Sequence, residues 1–266
     1  MPTIVHAGGE LHFDITAEQL PWQRDDASIV FHHGVGACGD IWRGWSTALA
    51  QRYRLIRMDM RGHGESTIPA GFRWTISGMV ADLHAVISTS TNAPIHLVGE
   101  SIGGTVALAY AIKYPDNVRT LTVCNGAHFG SQLNNLDDWA ERMGRDGMSG
   151  WSAHMMQQRF HAGAISKAAW QWYEQQQSTA DAKAILDAVN VLVGADLSSE
   201  LGQADMPVLL MHPDASPFIP IPVMADLQAK LANARLQVFA HSKHGLPFSH
   251  ATQCAGMLAK FLAEHG

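Results

Sequence analysis

The stretch IHLVGESIGGTV, residues 95–106, limits the fold more than any other part of the chain. A short apolar run enters Gly99-Glu100-Ser101-Ile102-Gly103, and a helical pattern follows without a spacer. A strand that becomes a helix across a single serine needs a tight, strained turn. Bulk at either flanking glycine would collide with neighbouring backbone. Such a turn exposes the hydroxyl and sets it at a helix N-terminus, where developing negative charge is favoured. This G-x-S-x-G pattern, in its strand–turn–helix context, makes Ser101 a candidate nucleophile. The Ile102 amide is then one half of an oxyanion hole. The plainer reading is a Gly-rich turn that happens to contain a serine.

The flanking sequence fits that turn. Short β-branched runs stand at Ile4–His6, Leu11–Asp14, Ser28–His32, Arg54–Met58, Ile95–Val98 and Val118–Cys124. Ala7-Gly8-Gly9 joins the first two as a hairpin. From the third run on, helical periodicity separates the strands, as at Met79–Ser88 and Gly103–Tyr114. That alternation predicts βαβ units and a mostly parallel sheet. Between residues 130 and 203 the strand pattern disappears. Helices are expected near Leu136–Arg145, Trp151–Phe160, Lys167–Gln177 and Asp181–Leu192. Alternation resumes with a strand at Val208–Met211, a helix at Pro222–Leu231, a strand at Arg235–Ala240 and a helix near His250–Glu264. The reading is one α/β core, 1–129 and 204–266, carrying a helical insertion, 130–203.

Composition removes several function classes. The net charge of −6 and the absence of a basic run argue against a nucleic-acid partner. No stretch approaches the roughly 20 apolar residues that span a bilayer. The N-terminus lacks a signal-peptide pattern, so a cytoplasmic protein, monomer or homodimer, is expected. Three scattered cysteines, Cys38, Cys124 and Cys254, do not build a disulfide framework. The 15 histidines fall into no HExxH or CxxC pattern, so no metal site is expected. The loop FHHGVGACGDIW, 31–42, follows the third strand, and Gly34 and Gly36 let its backbone approach a ligand. The Val35 amide is the expected second half of the oxyanion hole.

With HHGVGACGDIW, RMDMRGHGES (57–66), LVGESIGG (97–104) and a late histidine segment in this order, the chain resembles the α/β-hydrolase fold family over nearly its whole length. Within that family it is most similar to the 3-oxoadipate enol-lactonase-like and esterase-like branch. The resemblance implies a mostly parallel eight-stranded sheet flanked by helices, with a helical cap inserted after the sixth strand. It also implies a structural role for Asp59 and the turn Arg61-Gly62-His63-Gly64. A nucleophilic serine needs a base, and His241, His244 and His250 compete for that place. The family's base stands just before an apolar residue and often a proline, which is the position of His244.

The acid is harder to place. In the family it follows the seventh strand in a loop reading roughly His-Gly-x-x-Asp-x-x-x-Pro. Here HPDASPFIP, 212–220, puts Ser216 at the usual aspartate position, with Asp214 two residues earlier and Pro213 where glycine is usual. Asp214 is the best available acid. Three alternatives stay open: Ser216 or Asn125 merely orients His244, or Asp214 is only a turn former.

The insertion follows the sixth strand and would cover Ser101. Trp151, Met155, Arg159 and Phe160 are the candidate substrate-binding residues. Arginine is ordinarily exposed, but an inward Arg159 would hold a carboxylate. The expected activity is hydrolysis of a small ester, lactone or enol-lactone by Ser101, His244 and Asp214, with no cofactor. The alternatives are a cofactor-free oxygenase or lyase using His244 as base, and a non-catalytic small-ligand-binding protein.

Overall fold

The structure, a computed structural model, describes residues 2–16, 28–134, 136 and 138–265. Its strands are β1 (Thr3–His6), β2 (Gly9–Ile15), β3 (Ser28–His32), β4 (Arg54–Met58), β5 (Ile95–Glu100), β6 (Val118–Cys124), β7 (Val208–Pro213) and β8 (Ala234–Phe239). They form one sheet in the order β1-β2-β4-β3-β5-β6-β7-β8. The pairs β1–β2 and β2–β4 are antiparallel, and all others are parallel. Ala7 and Gly8 both take positive φ at the first hairpin, as the favoured two-residue turn requires.

Both faces of the central strands are apolar, so helices must cover both. Val30, Ile56 and Leu97 point into one core with α2 (Ile76–Ser90), α3 (Ile102–Lys113) and α7 (Ile221–Lys230). Ile29, Phe31, Leu55 and Val98 point the other way. There they meet α1 (Ser46–Leu49), α9 (Ala251–His265) and the ring pair Trp42–Trp45 of a 3₁₀ segment, Gly39–Trp45. The Asp59 carboxylate binds the turn after β4, accepting from the Gly39 and Glu65 amides and from His12 Nδ1 at 2.7, 3.0 and 2.8 Å. His63 Nδ1 donates to the Arg61 carbonyl within the same turn, away from Ser101.

Between β6 and β7 lie α4 (Trp139–Arg159), α5 (Lys167–Thr179) and α6 (Ala182–Val193). The periodicity suggested two helices here, and α4 is indeed two helical stretches meeting at a kink at Gly147, whose non-helical backbone (φ 69°) suits a residue without Cβ. Side chains cap the next two helices: Ser166 Oγ accepts from the Ala169 amide, and Asp181 from the Ala184 amide. The insertion has no core of its own among the described residues. Trp139, Met155, Ile185 and Leu192 belong to the same buried cluster as Val30 and Leu97. The loops after β3, β5, β6, β7 and β8 emerge at the C-terminal edge of the parallel strands. Ligands of open α/β sheets gather at that edge.

Candidate active site

Ser101 bridges β5 and α3 at φ 56°, ψ −125°, a conformation that few side-chain-bearing residues adopt. The neighbouring glycines make it possible. A Cβ on Gly99 would run into the Gly103 carbonyl, and one on Gly103 would lie 2.5 Å from the carbonyl oxygens of His32 and His33. Gly34 answers a third close approach, since its Cβ would meet Glu100 Oε2 at 2.5 Å and the Ser101 Cβ at 2.8 Å. The loop after β3 can therefore fold over the serine. Its Gly34 amide donates to Glu100 Oε2 at 2.7 Å, and His33 Nε2 accepts from the Met60 amide at 2.9 Å.

The base segment lies on the short α8 (Leu246–Ser249) and the loop before it. His244 is 3% exposed, and its Nε2 stands 3.1 Å from Ser101 Oγ. Asn125 Nδ2 donates to the His244 carbonyl at 2.5 Å, and the Gly245 amide donates to the Arg159 carbonyl at 2.9 Å. The Phe218 ring meets the imidazole edge-on at 4.8 Å. His241 is exposed at a positive φ, and His250 pairs with Ser249 Oγ. Of the three competing histidines, the structure brings His244 to Ser101.

The acid expectation needs correcting. Asp214 is exposed, and its two oxygens accept from the His241 and Ser242 amides at 2.9 and 3.0 Å. The cause lies in β7, which continues through Pro213 to pair with Phe239. Asp214 thus leaves the sheet beside the β8 end and closes that turn. The partner at His244 Nδ1 is Ser216 Oγ, at 3.2 Å, and this oxygen also accepts from the Ile219 amide. Among the described residues no carboxylate contacts the imidazole. Burial, the Arg159 charge and His212 hold the His244 pKa well below 6.5. A neutral ring that donates Nδ1–H to Ser216 turns its Nε2 lone pair toward Ser101, the tautomer a general base needs.

Val35 borders the cavity at Ser101, and neither its amide nor that of Ile102 is given to a protein acceptor among the described residues. Ile102 is the first residue of α3, where an amide has no partner within the helix. The cavity at Ser101 measures about 20 Å³, and Leu133, Trp139, Leu192, Phe218 and Ile219 make it apolar.

Of the four candidate binding residues, Arg159 alone lines the cavity. It is 1% exposed, contrary to the surface position usual for arginine. Its Nε donates to Gln177 Oε1 and its Nη2 to the Val35 carbonyl, each at 2.7 Å, while Nη1 lies 4.0 Å from Glu100 Oε1. Trp151, Met155 and Phe160 are packing residues instead. Trp151 stacks edge-on against Trp139, Met155 is enclosed in the core, and Phe160 packs on Tyr173 and Phe248. A Cβ on Gly245 would run into the Phe160 ring, so Phe160 also backs the base segment.

A larger polar cavity of about 220 Å³ lies apart from Ser101, beside β2 and β4. Within it Arg57 pairs with Asp14 and His12 with Asp59. Among the described residues no cluster of three metal-ligating side chains occurs, and no helix is long and apolar enough to cross a membrane.

A family model described as the alpha/beta hydrolase fold matches residues 27–251, and the chain belongs to that family. Two relatives are each 27% identical. A non-heme haloperoxidase of Rhodococcus erythropolis matches over 88% of this chain and 91% of its own. A pimeloyl-[acyl-carrier protein] methyl ester esterase of Nitrosomonas europaea matches over 83% and 89%. Among solved structures, the enol-lactonase from Burkholderia xenovorans LB400 superposes with a TM-score of 0.88. It is 22% identical and covers 98% of this chain and 100% of its own, a likeness of fold.

Proposed function

We propose that this protein is a serine hydrolase that cleaves small carboxylic esters, lactones included, through an acyl-enzyme on Ser101. The 3.1 Å approach of His244 Nε2 to the Ser101 hydroxyl carries the reading. Ser101 attacks the carbonyl as His244 takes its proton, and the amides of Val35 and Ile102 receive the oxyanion. Water, activated by the same imidazole, then releases the acid. Ser216 fixes the tautomer that Asp214 was expected to fix. The helices of residues 130–203 act as the cap on the core of 1–129 and 204–266, and they shape an apolar acyl site. The name of the methyl ester esterase relative supports chemistry at an acyl carbon. Three free, buried thiols suit a reducing, cytoplasmic setting.

The test is turnover of a panel of short-chain esters and lactones by the native protein, Ser101→Ala and His244→Ala. Each variant is expected to lose about 10³-fold or more in kcat/KM. Activity retained in Ser101→Ala would transfer the chemistry to His244 alone. Ligand binding without turnover would make the protein a binder.

A further inference from the structure

A hydroxyl at His244 Nδ1 holds a tautomer but supplies no charge. Taking Ser101 as the nucleophile, we propose that the site is matched to aryl esters and thioesters, whose leaving atom departs as a stabilised anion. Simple alkyl esters are turned over far more slowly.

The surroundings of the imidazole carry this. Ser216 Oγ accepts from the Ile219 amide and faces Nδ1 at 3.2 Å, so the group held against Nδ1 is a neutral hydroxyl. The charged group bordering the cavity is a cation, Arg159, and His212 lies on the β7 side. Both oppose an imidazolium, as does burial, and among the described residues no carboxylate contacts the ring. Proton transfer to Nε2 in a transition state is therefore costly.

How much transfer is needed depends on the leaving group. As the Ser101 Oγ–carbon bond forms, the Oγ proton moves to Nε2 and the carbonyl electron pair moves to the oxygen. An alkoxide, whose conjugate acid has a pKa near that of water at about 15.7, leaves only when His244 returns that proton to it. The imidazolium must then be fully formed. A phenolate or thiolate, with pKa values of about 10 and 8.5, leaves with its electron pair and needs no proton. The proton on Nε2 then passes to the departed anion or to water.

The acyl-enzyme is itself an alkyl ester of Ser101. Its hydrolysis forms a carbon–oxygen bond from water, sends a water proton to Nε2, and returns a proton to Oγ as the old bond breaks. That step carries the same handicap for every substrate. Acylation by an aryl ester consequently outruns deacylation, and the first turnover appears as a burst.

The experiment is a leaving-group series on one acyl group: acetates of nitrophenol, phenol and ethanol, with an acetyl thioester. It is followed by stopped flow and steady state for the native protein, Ser216→Asp and Ser216→Asn. The native protein is expected to show a nitrophenol burst of one equivalent per Ser101. Its kcat/KM for ethyl acetate should lie about 10³-fold or more below that for phenyl acetate, within the range general acid–base catalysis supplies. Ser216→Asp adds a charge that Ser216→Asn does not, so only the aspartate variant should raise ethyl ester turnover, by about tenfold or more.

Phenyl and ethyl esters turned over within about tenfold of each other by the native protein would overturn the inference, and this arm does not depend on either variant folding. Equal gains in Ser216→Asp and Ser216→Asn would overturn it too, since shape and not charge would then be limiting. Absence of both burst and turnover with every ester would remove the nucleophile reading itself, a distinct outcome.

Discussion

In the proposed mechanism His244 acts as a base only while neutral, and its surroundings decide when that is. Burial, Arg159 and His212 depress its pKa well below 6.5. The limb of kcat/KM that reports its protonation should therefore lie below pH 6.5, with a flat profile above it. Replacing Arg159 by Gln removes a positive charge that opposes the imidazolium, so this limb should move to higher pH. The same change removes the donor to the Val35 carbonyl, and kcat should fall more than KM rises. A pH–rate series on phenyl acetate measures both. A native limb above pH 6.5 would mean that a negative charge reaches the ring. Ser101 and His244 were legible in the sequence because each sits in a motif whose spacing is local. Ser216 was visible only as the residue at the usual acid position. Its hydroxyl–imidazole contact depends on how far β7 runs, which HPDASPFIP does not state.

At the scale of elements, the β5–α3 turn is the most demanding piece of the fold. Gly103→Ala would press a methyl group against the His32 and His33 carbonyls and should cost about 1–3 kcal/mol in stability by urea unfolding. Gly144→Ala on α4 is the contrast. Nothing lies within 4 Å of that Cβ, so the change should stabilise by up to about 1 kcal/mol. Equal effects at the two sites would contradict the packing described for the turn. The strands β3, β4 and β6 match the sequence reading residue for residue, because their apolar runs are bounded by clear breaks. The break between the two helical stretches of α4 was legible as well, because Gly147 takes a non-helical backbone that interrupts the periodicity. The aromatic residues of α4 looked like ligand contacts because composition does not say which face a helix turns inward. Trp151 and Met155 face the shared core, and Arg159 faces the cavity.

For the whole molecule, buried histidines link stability to pH. His32, His63 and His212 are pushed down to about 4, chiefly by burial, and His33 and His244 are depressed as well. Below pH 6.5 the unfolded chain binds protons that the folded chain refuses. The contribution of these five histidines is therefore full above pH 6.5 and falls as the pH drops toward 4. Because the insertion and the sheet share one core, unfolding across this range should remain a single cooperative transition. Thermal scans from pH 7.5 to 4 check both points. A midpoint constant over this interval, or a separate early transition, would contradict them.

The central claim is that the turn after β5 and the imidazole 3.1 Å away together make Ser101 a nucleophile. Intact-mass measurement after incubation with a fluorophosphonate tests it most directly, because the reagent marks an activated serine whatever the natural substrate. The expected result is one phosphonyl group per native chain, none on Ser101→Ala, and much slower labelling of His244→Ala. An unlabelled native protein, or a label that persists in Ser101→Ala, would contradict the account.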